Sequence, residues 1–180
     1  KKQGKIRFSG VSLDTRNPEP EAELLVADHL VDTLQVVYSL INQRAARRVI
    51  PAAHQAGMGI IARMVLHFGL LTGKFTPDSR FSNDDHRSMR LDPEQLHQLL
   101  NRMTELEFLR DQYGGSWGDL ALRFALQCPG ISTAIIGVRN PNQASQNAAG
   151  AMASPIPEPI WQDLAHQAQI RFDPLIDHFK

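Results

Sequence analysis

Disulfide chemistry is the first thing this sequence lacks: its 180 residues include one cysteine, Cys128. No internal disulfide can form, and a reducing, cytoplasmic setting is the expectation. An excess of charge is lacking too. Nineteen Lys and Arg balance nineteen Asp and Glu, so no net field draws the chain to nucleic acid or to an anionic membrane. No apolar run reaches transmembrane length, and no secretory signal opens the chain. The histidines are scattered and Cys128 abuts Pro129, so no metal-ligand spacing stands out. There is no low-complexity tract and no internal domain boundary. The length suits one domain with a sizeable core. The chain starts Lys1-Lys2-Gln3-Gly4 without an initiator Met, which reads as the middle of a longer protein.

What is present is a regular alternation. Residues 5–12 (KIRFSGVS), 33–39 (TLQVVYS) and 59–62 read as strands, and 18–29 and 45–56 as helices between them. Pro51 is a weak point inside the second helix. Residues 76–90 are polar, charged and aperiodic, and read as a long exposed loop. Residues 91–113 read as one helix, with Asp92 as N-cap and Pro93 at its first position. Gly114-Gly115 ends it, Ser116 caps a helix over 117–127, and Pro157 opens a last helix over 157–170. Strands and helices at βαβ spacing imply parallel strands joined by right-handed crossovers.

The stretch STAIIGVRNPNQASQN, residues 132–147, carries the most chemistry. Residues 133–138 read as a short buried strand that ends in a glycine turn. Asn140 is a good N-cap, and Pro141 suits the first helical position. Free backbone N–H groups and the positive end of a helix dipole then meet Arg139, whose fork suits a phosphate. Two readings stand at this level: an anion cradle, or an ordinary βα turn with a solvated arginine.

The local strings narrow the choice. GKIRFSGVS (4–12), LQVVYSLIN (34–42), GMGIIARMVLHFGLLTGKF (57–75) and AIIGVRNPNQASQN (134–147) occur in that order. Together they resemble the C-terminal half of the aldo-keto reductases, in particular the branch with a GLLTGK string, as does FSNDDHRS (81–88). The resemblance runs from Gly4 to about Ile170. It implies an α/β fold of the (β/α)8 TIM-barrel type, of which this chain supplies about the last four strands and their helices. Residues 1–180 would form a single domain: 5–75 three βα-type units with a cofactor loop, 76–90 the exposed loop, 91–170 helices, last strand and terminal helix.

The resemblance also implies NADPH, extended across the C-terminal strand ends, and reduction of a small aldehyde or ketone. Ser12 and Gln35 match positions that bind the nicotinamide carboxamide, since a hydroxyl and an amide together satisfy its donor and acceptor. Leu66, Gly69 and Lys74 match positions near the pyrophosphate. Gly137 lies at the last strand end, and Arg139, Gln143, Gln146 and Asn147 line the adenosine end with its phosphates. Read alone, Lys74 is a solvated loop lysine and Gln35 a strand residue bonded to backbone. Two positions depart from the family. Leu13 stands where Asn is usual, and Arg63 stands where an aromatic residue commonly lies against the nicotinamide, followed by Met64-Val65 in place of Ser-Pro.

The family's acid, a tyrosine assisted by lysine, aspartate and histidine, has no matching position here. Tyr38 and Tyr113 lack a Lys–Asp pair, and His54, His67 and His86 read as structural or solvated. No catalytic residue is therefore assigned. The missing N-terminal half, or a complementary or identical chain, would complete the barrel. The alternative is a non-catalytic scaffold or regulatory subunit of the same fold.

Overall fold

A computed structural model describes residues 1–113 and 115–176. Four strands form one parallel sheet in the order of the chain: β1 (Gly10–Ser12), β2 (Thr33–Val37), β3 (Gly59–Arg63) and β4 (Thr133–Ala134). Helices α1 (Glu19–Ala27) and α2 (Val49–Gln55) connect the first three strands. Between β3 and β4 run α3 (Pro93–Thr104), α4 (Glu107–Tyr113) and α5 (Trp117–Gln127), and the chain continues through α6 (Pro141–Met152) and α7 (Glu158–Ile176).

The sheet is buried on one face. Leu34, Val36, Ile60 and Ala62 are sealed beneath Ile50 and Ala53 of α2 and Leu120, Phe124 and Ala125 of α5, in one apolar cluster that Leu164, Ala168 and Phe172 of α7 extend. On the opposite face Thr33, Gln35, Ile61 and Arg63 are half-buried and Thr133 is exposed. That face carries a small–large–small row, Gly10–Thr33–Gly59. A side chain at Gly10 is excluded there, because its Cβ would lie 2.1 Å from the Thr33 hydroxyl oxygen.

The local signals for helix starts hold. Asp92 accepts from the N–H groups of Glu94 and Gln95, Asn140 from that of Gln143, and Ser116 and Asp119 form a reciprocal capping box. Pro51 proves harmless: it sits in the first turn of α2, where no backbone donor is missed.

Five expectations need correction. Residues 5–9 do not join β1, since Asp32 stands before β2 and its carboxylate takes the Ser9 N–H at 2.7 Å in place of a ladder partner. The strand expected over 133–138 shrinks to two paired residues, with one further bond from Ile135 N to the Ala62 carbonyl. It is not buried: Ile135 and Val138 are about half exposed, at 49% and 48%, because among the described residues no strand lies beyond this edge. The helix expected over 91–113 is two, broken where Leu106 turns into the core and its N–H bonds the Met103 carbonyl. Gly114, taken as its end, lies outside the described residues, as does the side chain of Tyr113. The last helix runs on to Ile176, burying Phe172 and Ile176. The loop over 76–90 is not featureless, since residues 86–89 form a helical turn capped by Asp85.

Candidate functional site

The candidate site lies where the strands end. Ser12 and Gln35 are register partners on the open face, and the Ser12 hydroxyl donates to Gln35 Oε1 at 3.2 Å. That contact leaves the Gln35 amide donors and the Ser12 oxygen lone pairs for a ligand. Leu13 does not join them: its side chain is 2% exposed and packs in the core.

Arg63, at the end of β3, reaches back over the sheet. One terminal nitrogen donates to the Leu13 carbonyl and to the Thr15 hydroxyl, both at 3.0 Å. Burial lowers its pKa from the ordinary value while the Asp14 charge opposes the shift, and an arginine keeps its proton under such a shift. Sequence reasoning missed Thr15, which has no local signature and meets Arg63 only through the fold.

Past β3 the backbone is strained. Met64, His67 and Phe68 adopt positive φ values of 58°, 44° and 56°, a conformation that costs non-glycine residues energy and concentrates at functional sites. Gly69 follows at φ 93° and Gly73 at φ 70°. Leu66 is half-buried in this segment and Lys74 emerges from it exposed. The neighbouring loop is fastened onto it. Phe81 meets Phe75 edge-on at 5.2 Å, and the Arg87 guanidinium covers both rings, 4.8 Å from Phe81 and 5.7 Å from Phe75. Asp85 takes Arg87 in a bidentate pair, which holds its carboxyl well below the usual carboxylate range. The string NDDHRS carried this cluster, but only the fold shows what Arg87 covers.

The fourth strand end leads into α6. Gln143, Gln146 and Asn147 share a face of its first two turns, and the Gln143 side chain accepts from the Arg139 backbone N–H at 2.8 Å. The Arg139 side chain is exposed. Gly137 is unlike the glycines above. Its φ is not positive, and an added Cβ would meet nothing within 4 Å. Nothing in the chain itself demands glycine there, so the open space is free for a ligand's close approach.

His67, expected on a loop, is buried inside the strained segment and its ring meets Phe68 edge-on at 5.5 Å. Burial pulls its pKa down to about 4 from 6.5. Below pH 6.5 the unfolded chain takes up a proton that the folded chain refuses. Stability is therefore complete above that pH and falls as the pH drops toward 4, by about 3 kcal/mol. Urea titrations at fixed protein concentration should show this loss in the wild type and a shallower one in His67→Phe. Parallel pH profiles would remove His67 as the cause.

Tyr38 faces the helices. It is 1% exposed and stacked on Phe124, and burial pushes its hydroxyl far above the ordinary tyrosine range, with Cys128 beside it. Its ring lies on the helix-covered side of the sheet, buried away from the open face. Cys128 is a buried residue at the end of α5. His54 and His86 are exposed. Among the described residues no three metal-capable side chains cluster, and no helix is long and apolar enough to cross a membrane.

A parallel sheet covered by helices on one face, with polar side chains gathered at the C-terminal strand ends, is the arrangement of (β/α) barrel proteins. The chain belongs to the Aldo/keto reductase family, whose profile matches residues 1–165. It is 31% identical over 143 residues to the Aldo-keto reductase YhdN of Bacillus subtilis, covering 78% of this chain and 42% of that protein. It is 26% identical over 133 residues to pyridoxal 4-dehydrogenase of Microbacterium luteolum, covering 74% and 36%. Its fold matches the glycerol dehydrogenase AKR11B4 of Gluconobacter oxydans with a TM-score of 0.76 at 24% identity, over 94% of this chain and 51% of that one. The chain thus spans about half the length of the relatives it matches, or less. The family is one of oxidoreductases that use NAD(P)H.

Proposed function

We propose that this chain is the cofactor-binding side of an NADPH-dependent aldo-keto reductase, of the branch with the GLLTGK string, acting in the cytoplasm on a small aldehyde or ketone. Its four strands correspond to the last four of eight, and a further set of strands covers the open face. The observation that carries the reading is the pair of anchors on one rim. Ser12 and Gln35 present a hydroxyl and an amide at one end. Gly137, Arg139 and the capped start of α6 present open space and a cation at the other.

These residues fit the cofactor. Ser12 and Gln35 would hold the carboxamide, fixing which ring face is presented. Leu66, Gly69 and Lys74 would lie along the pyrophosphate, with Lys74 as a compact cation. Arg139, Gln143, Gln146 and Asn147 would hold the adenosine end, where α6 adds the positive end of its dipole. When bound, the reduced nicotinamide supplies a hydride to the carbonyl carbon; the chain supplies orientation and electrostatics. The proton for the carbonyl oxygen comes from a residue outside this set.

The Arg139 contact tests the reading. A charge-assisted bond to the 2′-phosphate is worth roughly 1.5–3 kcal/mol, about ten- to a hundredfold in affinity. The assembled protein should bind NADPH that much more tightly than NADH, and Arg139→Ala should erase most of the difference. Equal affinities in the wild type, or an unchanged ratio in the variant, would count against it.

A further inference from the structure

Resting on the cofactor reading above, we propose that Arg63 makes the ring end of the site selective for the neutral, reduced nicotinamide over its positively charged, oxidised form. Ser12, Gln35 and Ile61 form one row across three strands. Arg63 lies two residues beyond Ile61 on the same face, roughly 7 Å further along β3. Its side chain does not run out to solvent. It spans from β3 past the end of β2 to the end of β1, where it donates to the Leu13 carbonyl and the Thr15 hydroxyl. The guanidinium therefore lies across the C-terminal end of the row that carries Ser12 and Gln35.

Both oxygen acceptors are neutral. The second terminal nitrogen has the Met64 sulfur at 3.5 Å, and the buried Nε has no acceptor. Asp14 acts on Arg63 as a charge nearby, with no ion pair between them among the described contacts. A full positive charge is thus pinned in place, half-buried, with donor capacity left over.

A nicotinamide whose carboxamide rests on Ser12 and Gln35 places its ring beside that charge. The oxidised ring is a cation and the reduced ring is not. An aromatic side chain at this position would attract a cationic ring through its face; Arg63 reverses the sign. Two like charges a few ångströms apart near a protein surface repel by an amount on the order of tenfold or more in a binding constant. The site therefore takes up the reduced cofactor and sheds the oxidised one, which limits inhibition by the oxidised form.

The test measures binding alone. NADPH is titrated into the assembled protein by its fluorescence, NADP+ by competition, and adenosine 2′,5′-bisphosphate, which has no ring, as the control. The wild type should bind NADPH at least about tenfold more tightly than NADP+. Arg63→Gln, neutral yet able to donate to the Leu13 carbonyl, should bring that ratio close to one and leave the bisphosphate affinity unchanged. Arg63→Lys, which keeps the charge, should keep most of the ratio and decides the matter if the glutamine variant fails to fold. A wild-type ratio near one, a ratio untouched in Arg63→Gln, or one lost in a folded Arg63→Lys would overturn the proposal. If the bisphosphate binds and the ratio fails, only the role of Arg63 falls. If neither NADPH nor the bisphosphate binds the wild type, the cofactor reading falls with it.

Discussion

Purified alone, residues 1–180 should oxidise no NADPH in the presence of aldehydes and should sediment as an oligomer or aggregate. The chemical half of this expectation follows from where the acid candidates with described side chains lie. General acid catalysis contributes typically ~10²–10⁴ in rate, and it needs a proton donor within reach of a carbonyl at the strand ends. Tyr38 is turned the other way, buried against Phe124 with its hydroxyl pushed far above the ordinary range. His67 is sealed inside the loop and neutral at physiological pH. The physical half follows from the sheet. β1 and β4 are edges; Ile135 and Val138 stand about half exposed after β4, and Ile6 and Phe8 are exposed ahead of β1. Unpaired strand edges and exposed apolar surface favour association. Saturable turnover by the purified chain would defeat the first half. A well-folded monomer in the ultracentrifuge would defeat the second.

Replacing Phe124 by alanine should cost about 3–5 kcal/mol of stability, the range for deleting a large aromatic side chain from a packed core. Phe124 is fully buried and stacks between two rings, Tyr38 at 5.8 Å and 17° and Trp161 at 5.4 Å and 22°. The Trp161 indole N–H donates to the Phe124 carbonyl at 3.0 Å. One side chain thus joins the end of β2, α5 and α7, three elements far apart in the chain, and aromatic pairs add to the burial term. Urea unfolding at fixed protein concentration, followed by circular dichroism, should show the midpoint fall with an unchanged slope. A loss below about 1 kcal/mol would show that the surrounding core repacks into the space.

Much of the fold was legible along the chain. Asp92-Pro93, Ser116 and Asn140-Pro141 announced three helix starts, because an N-cap needs only a side chain and the two or three backbone N–H groups after it. Strands β2 and β3 showed in their β-branched and apolar runs. The candidate rim was legible as a set of residue types at strand ends and in α6, and the structure does gather Ser12, Gln35 and Arg63 on one face of one sheet. The misjudged elements have a common feature. The helix over 91–113 contains no breaker, and it breaks because Leu106 finds the core. Residues 5–9 and 135–138 read as strand, but a strand extends only as far as a neighbour offers backbone partners.

What the sequence by itself determined was therefore local and compositional. It set the alternation of strand and helix, the caps, the want of any disulfide, and the residue types available to meet a phosphate or a carboxamide. The tertiary structure decided what depends on residues distant in the chain. It settled which face of the sheet is sealed and which lies open, that Arg87 covers Phe75 and Phe81, and that Arg63 bonds Leu13 and Thr15 across 50 and 48 residues. The physical reason is range. A cap or a turn is completed by neighbours a few residues away, whereas a buried ring or a bridging guanidinium has no partner until the strands are side by side.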